Sequence, residues 1–195
     1  MIRSDVANYY ASMQHELVLE HVRGHISSPQ LIKIFSQYLN RVEVWLGHHT
    51  LVKTGIVKGC SLSPLIGALM LKRLDRSVMH NTAYIRYMDD WVILTNSSCK
   101  LRRLVKTMHN TISSLHFKLA PDKTYIGKTT KAFDFLGFKF DNRGVIGVGD
   151  LAFKRHITKV TALYEQSCSK DKISNYKKHW RTWSQIGLKH VSLTV

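Results

Sequence analysis

The spacing of apolar and polar positions divides the chain into short, well-punctuated segments. Residues 1–6 read as a strand that begins abruptly. Residues 9–26 carry Met13, Leu17, Val18, His21 and Val22 at helical spacing, which predicts a helix. Ser28 and Pro29 supply an N-cap and a first-turn proline ahead of Leu31, Ile34, Phe35, Tyr38, Leu39 and Val42, again at helical spacing. Residues 45–57 predict a hairpin or an extended excursion, and 58–62 a loop of small residues. Ser63 and Pro64 predict a second capped helix running to about Met79. Two β-rich segments, 83–87 and 91–95, flank Met88, Asp89 and Asp90, predicting a hairpin with the acids at its tip. An amphipathic helix over 100–115 follows. Short strands are expected at 117–119 and 123–126, around Pro121 and Asp122. Residues 134–140 and 145–148 flank Asp141-Asn142-Arg143-Gly144, a hairpin turn. From Asp150 onward the pattern is helical and basic, with helices expected at about 151–168 and 172–187. The change of periodicity places a boundary near 148, giving a first region 1–148 and a helical region 149–195.

Composition narrows the function classes. Of the 195 residues 44% are apolar, enough for a packed core. The net charge is +16, and it is uneven: residues 1–97 hold 10 Lys/Arg against 7 Asp/Glu, and residues 98–195 hold 19 against 6. Such an excess points to a polyanion, since Lys and Arg neutralise phosphates and release counterions. The three cysteines, Cys60, Cys99 and Cys168, form no CxxC pair, so neither a disulfide framework nor a structural zinc site is expected. Their use suits a reducing, cytoplasmic setting. The longest apolar run, 62–71, is interrupted by Ser63 and Pro64 and is too short to span a bilayer. No leader is expected, because the first residues run straight into a strand. The eleven histidines are scattered; His48 and His49 form a pair, but no helical His-x₃-His acid cluster accompanies it, and they read as surface or core residues.

Asp89 and Asp90 carry the chemistry. Adjacent carboxylates repel, and a bound hard cation relieves that repulsion through oxygen ligands. A solvated turn is the plain alternative for two such acids. The surrounding residues, Tyr87-Met88-Asp89-Asp90 followed by Trp91-Val92-Ile93-Leu94, resemble the Tyr-x-Asp-Asp signature of reverse transcriptases. Other blocks resemble that family in its order. Asp5-Val6-Ala7-Asn8-Tyr9-Tyr10 is similar to the strand that brings the third metal-binding acid. Gly55-Ile56-Val57-Lys58-Gly59-Cys60-Ser61-Leu62-Ser63-Pro64-Leu65 resembles the loop Gly-x-Pro-Gln-Gly-Ser-Pro-Leu-Ser-Pro, with Val57, Lys58 and Cys60 replacing Pro, Gln and Ser. Pro121-Asp122-Lys123-Thr124 resembles a block whose Lys sits near the triphosphate. Residues 133–140, with Phe135-Leu136-Gly137, resemble the hairpin that positions a primer end. The motif style is closest to bacterial group II intron and retron-type enzymes.

The resemblance implies an α+β polymerase palm, an antiparallel sheet with helices on one face, followed by a small helical thumb. It implies RNA-directed DNA polymerase activity on an RNA template and DNA primer with dNTPs, using two Mg²⁺ ions, with Mn²⁺ as a substitute. Asp5, Val6, Asp89 and Asp90 would form the metal site. Tyr10 would wall the sugar and exclude a 2′-hydroxyl, Lys58 and Gly59 would line the nucleotide site, and Lys123 would serve the leaving pyrophosphate. Phe135, Leu136 and Gly137 would hold the primer and template. Each position also has a plain reading: Asp5 as a helix cap, Tyr10 as a core aromatic, Lys123 as a surface lysine in a turn. The family carries a fingers region ahead of the first strand. Its absence here predicts a truncated chain, or one completed by a partner segment or intron RNA, that extends primers poorly by itself. A catalytically silent nucleic-acid-binding remnant is the alternative. A metal-dependent nuclease needs neither hairpin motif, and an RNA-dependent RNA polymerase is disfavoured by Tyr10.

Overall fold

A computed structural model describes residues 1–80 and 82–188, and the side chain of Trp45 is left aside with the remainder. The expected helical region to 195 therefore extends past the described residues. The backbone forms two compact units, Met1–Gly127 and Lys128–Val195.

The first unit is built on a four-stranded antiparallel sheet. Its strands are β1 (Ile2–Asp5), β4 (Ala83–Tyr87), β5 (Asp90–Leu94) and β6 (Tyr125–Ile126), in the order β4-β5-β1-β6. β1 is central: it pairs Ile2 with Ile93 and Asp5 with Asp90, and on its other side Arg3 with Tyr125. Alternation puts Ile2, Ser4, Trp91 and Ile93 on one face, where all four are fully buried. Ile2, Trp91 and Ile93 pack with Met13 and with Val18, Ile66, Met70, Leu74, Met108 and Ile112 from the helices. Burying each large apolar side chain contributes about 1.5–3 kcal/mol.

Those helices are α1 (His15–Arg23), α2 (Pro29–Leu39), α3 (Leu62–Met70), α4 (Lys72–Val78) and α5 (Ser98–Ser114). Ser28 caps α2 as expected, its hydroxyl accepting from the Leu31 amide, and Ser97 caps α5 through Lys100. A two-stranded hairpin, β2 (Val42–Trp45) and β3 (His48–Leu51), turns at Leu46 and Gly47, both at positive φ. It starts three residues earlier than the pattern suggests, taking Val42 from the helix before it.

Two helices differ from their expected extents. Residues 9–14 are not helical, and α1 begins only at His15. Asn8 is left-handed, and the carbonyls of Tyr10 and Met13 accept from the amides of Ile56 and Gly55 instead of from the next helical turn. The segment expected as one helix to Met79 breaks at Leu71 into α3 and α4. Ser63 does not cap it. That side chain is buried, donating to the Val57 carbonyl and hydrogen-bonded to the Tyr38 hydroxyl.

The second unit holds a three-stranded antiparallel sheet, β7 (Phe133–Phe135), β8 (Phe138–Asp141) and β9 (Gly144–Val148), with α6 (Asp150–Glu165) and α7 (Lys170–Leu188). The expected single strand over 134–140 is folded back at Leu136 and Gly137, both at positive φ, so it supplies β7 and β8. Phe138 packs against Trp183 with the rings tilted, and the Gly149 amide donates to the Gly137 carbonyl. These contacts tie the sheet to the helices after it. The compact division consequently falls at Gly127/Lys128, upstream of the change of periodicity at 148.

Candidate active site

The acids stand at one end of the four-stranded sheet because the pairing puts them there. Asp5 ends β1 opposite Asp90, the first residue of β5. Asp89 occupies the two-residue turn between β4 and β5, and its carbonyl accepts from the Val6 amide at 3.3 Å. Val6 is buried and bridges to Leu119, and the Asp5 carbonyl accepts from the Ala120 amide at 2.8 Å. Residues 118–120 thus clamp the end of β1. The 3₁₀ turn Pro121–Lys123 follows directly and presents Lys123 to Asp5, with Nζ 2.6 Å from Oδ2.

The electrostatics are those of carboxylates short of partners. Asp5 Oδ1 and Asp90 Oδ1 are buried without a hydrogen bond. Arg3 Nε stands 3.9 Å from Asp90 Oδ1, too far to donate, and is itself unsatisfied. Burial pushes the Asp90 carboxyl up to about 6, with Asp5 and Asp89 adding to the rise and Arg3 opposing it. Burial also raises Asp89, reinforced by the charge of Asp5. Buried carboxylate oxygens left unsatisfied cost free energy, and a hard cation is a partner that would recover it. Among the described residues, no three His, Cys, Asp or Glu side chains are gathered as a metal-binding group. The strands bring the three acids to one place, while the ammonium of Lys123 holds Asp5.

The other expected residues divide between the units. Tyr10 lies beside the acidic turn: its hydroxyl donates to Met88 Sδ at 3.7 Å, and burial with the charge of Asp89 raises its phenol. Its ring rests on Gly67 of α3, where an added Cβ would stand 3.3 Å from Tyr10 Cε1. Tyr9, the neighbouring ring, is the core aromatic, donating to the Gly67 carbonyl at 2.5 Å. Lys58 and Gly59 are exposed on the loop before α3. That loop is laced to 10–15 through Gly55, whose φ of +85° and 3.0 Å approach to the Ala11 backbone admit only glycine. The buried His15 completes the lace with Nε2 2.9 Å from the Gly55 carbonyl oxygen. At the head of α3 the Leu62 amide holds the Cys60 thiol below its usual value. An open cavity of about 330 Å³ beside the loop is lined by Ala11, Arg41, Gly55 and Lys58 among others. Phe135, Leu136 and Gly137 belong to the second unit. Phe135 is buried in it, so Leu136 and the turn backbone are what face outward.

Arg86 and Asp75 escaped the sequence reading. Arg86 sits on the helix-facing side of β4, donating to both oxygens of Asp75 on α4 and to the Met88 carbonyl. Strand alternation held the signal: Tyr84 and Arg86 share the parity that faces α3 and α4, and a half-buried arginine there demands an acid.

An antiparallel sheet covered by helices on one face, with acids on its central strand and at the tip of the adjacent hairpin, is a polymerase palm. Residues 1–140 match the family described as reverse transcriptase (RNA-dependent DNA polymerase), and the chain belongs to that family. Protein YkfC of Escherichia coli (strain K12) is 22% identical, the match covering 71% of this chain and 46% of that protein. Telomerase from Candida tropicalis, in complex with a TWJ fragment of telomeric RNA, superposes with a TM-score of 0.61 at 13% identity, over 96% of this chain and 38% of its own. The foamy viral protease-reverse transcriptase in complex with an RNA/DNA hybrid gives 0.52 at 16% identity, over 82% and 18%. The chain therefore spans less than half the length of these relatives. Among its described residues, no helix is long and apolar enough to cross a membrane.

Proposed function

We propose that the chain is the palm-containing part of an RNA-directed DNA polymerase of the group II intron or retron type, joining dNTPs to a primer 3′-hydroxyl on an RNA template. The single observation that carries this reading is the pairing of Asp5 with Asp90 beside Asp89, with buried carboxylate oxygens lacking partners. Asp5, Asp89 and Asp90, with the Val6 backbone next to them, would hold two divalent ions, Mg²⁺ or Mn²⁺. When bound, these supply activation of the hydroxyl and neutralisation of the triphosphate.

The chain's own residues do the remaining work. Tyr10, wedged between Gly67 and Met88, forms the floor under the sugar and excludes a 2′-hydroxyl by bulk. Lys123 is poised to leave Asp5 for the pyrophosphate, offsetting its charge or giving it a proton. Lys58 and Gly59, exposed ahead of α3, approach the phosphates and the nascent pair. Leu136 and the Gly137 turn hold the primer end, and the basic helices α6 and α7 act as a thumb on the duplex backbone.

The test is nucleotide addition to an oligo-dT primer on poly-rA with the chain in excess over the hybrid. Weak Mg²⁺-dependent addition of dTTP that disappears in Asp89→Asn is expected, the loss of a metal-site charge at the reacting centre. Hybrid binding that persists in Asp89→Asn, with no synthesis by either form, would identify a silent nucleic-acid-binding remnant instead.

A further inference from the structure

The turn that carries Asp89 is strained. Met88 is the first residue of a two-residue hairpin loop and has φ +54°, a conformation that suits glycine and that a side chain disfavours. Something outside the turn must hold it. Three groups surround Met88: the Tyr10 hydroxyl at its sulfur, the Arg86 guanidinium at its carbonyl, and Asp75, which grips that guanidinium.

The geometry uses the whole of the arginine fork. Nε donates to Asp75 Oδ1 at 2.6 Å and Nη2 to Asp75 Oδ2 at 2.5 Å. That bidentate pair fixes the plane of the guanidinium. Nη1 is left to donate to the Met88 carbonyl at 2.9 Å, and Nη2 also reaches the Ala68 carbonyl of α3 at 3.4 Å. Tyr84, two residues back on β4, donates to Asp75 Oδ1 at 2.6 Å, so the carboxylate is itself held. Asp75 is anchored on α4, whose Leu74 and Val78 are buried in the core. A rigid line therefore runs from the helical layer through Asp75 and Arg86 to the peptide joining Met88 to Asp89. A lysine has one nitrogen and makes no such two-sided contact.

We propose that Arg86, clamped by Asp75, is a positioning residue: it fixes the strained Met88 peptide and thereby sets where the carboxylates of Asp89 and Asp90 stand for metal and substrate. Its link to catalysis rests on the polymerase reading above; its link to the turn does not.

Two measurements on the full chain test it. Hydrogen exchange followed by mass spectrometry reads the turn directly: in Arg86→Gln, peptides covering 87–90 are expected to exchange at least tenfold faster, with α5 unchanged. Titration with Mn²⁺ reads the consequence: affinity is expected to fall about tenfold in Arg86→Gln and to be restored little by Arg86→Lys. Asp75→Asn should reproduce part of both effects, and Asp75→Asn/Arg86→Gln should be no worse than Arg86→Gln alone, as expected of residues acting in one line. Should Arg86→Gln not fold, Arg86→Lys, which keeps the charge against Asp75, carries the same comparison. A folded variant with unchanged exchange at 87–90 overturns the inference. Faster exchange there, in a chain that binds no Mn²⁺ in any form, upholds the clamp and defeats the polymerase reading.

Discussion

A histidine in the second unit shows how a single ring registers its surroundings. His156 on α6 stacks on Trp180 with centroids 3.8 Å apart and on Tyr176 at 5.5 Å, and its Nδ1 lies 3.3 Å from the Tyr176 hydroxyl. Burial lowers its pKa, and the charge of Lys177 on α7 adds to the effect. A base whose folded pKa lies below its unfolded value gives stability that is complete above about pH 6.5 and is lost as pH falls through the folded value. The melting temperature of the second unit is therefore expected to drop between pH 7 and pH 5. Calorimetry on the wild type and on His156→Gln checks this; a pH response that survives the substitution would remove the ring from the account. At this scale the sequence was informative where chemistry is local. Tyr87-Met88-Asp89-Asp90 announces itself because consecutive acids at a hairpin tip need a reason. The Asp75–Arg86 pair gives no such sign, being 11 residues apart and joined only when α4 packs on β4.

Elements follow the same division between local and long-range causes. The β-rich segments 83–87 and 91–95 and the Ser28 cap of α2 are encoded within a few residues, and they appear as expected. Residues 9–14 have helical spacing yet are held open, because the Gly55–Ile56 backbone claims their carbonyls from more than forty residues away. The Leu136–Gly137 turn likewise depends on what it meets. Phe138, just past it, lies on α7 at Gly187, where an added Cβ would stand 2.1 Å from the ring. Gly187→Ala is expected to destabilise the second unit by about 1–3 kcal/mol, as overpacking does, despite the better helix propensity of alanine. Chemical denaturation monitored by tryptophan fluorescence measures it, since Trp183 packs on the same Phe138. An unchanged midpoint would show that the ring has room to move.

For the whole molecule, charge and metal chemistry pull on one another. The net charge of +16 marks a polyanion partner by composition, and the chain belongs to the family described as reverse transcriptase (RNA-dependent DNA polymerase). Composition alone leaves open how a basic protein keeps a cluster of acids stable between encounters. Lys123 answers that: its ammonium rests on Asp5, 2.6 Å from Oδ2, and offsets that charge. The consequence concerns handling and storage. A protein whose acids are held together only by metal falls apart in chelator, whereas here a lysine of the chain itself neutralises Asp5. Purified in EDTA, the first unit is expected to keep its fold, with a melting temperature within about 5 °C of that in Mg²⁺. Lys123→Met should turn the same protein into one that tolerates chelation poorly, and a side-by-side melt of the two in EDTA and in Mg²⁺ decides it.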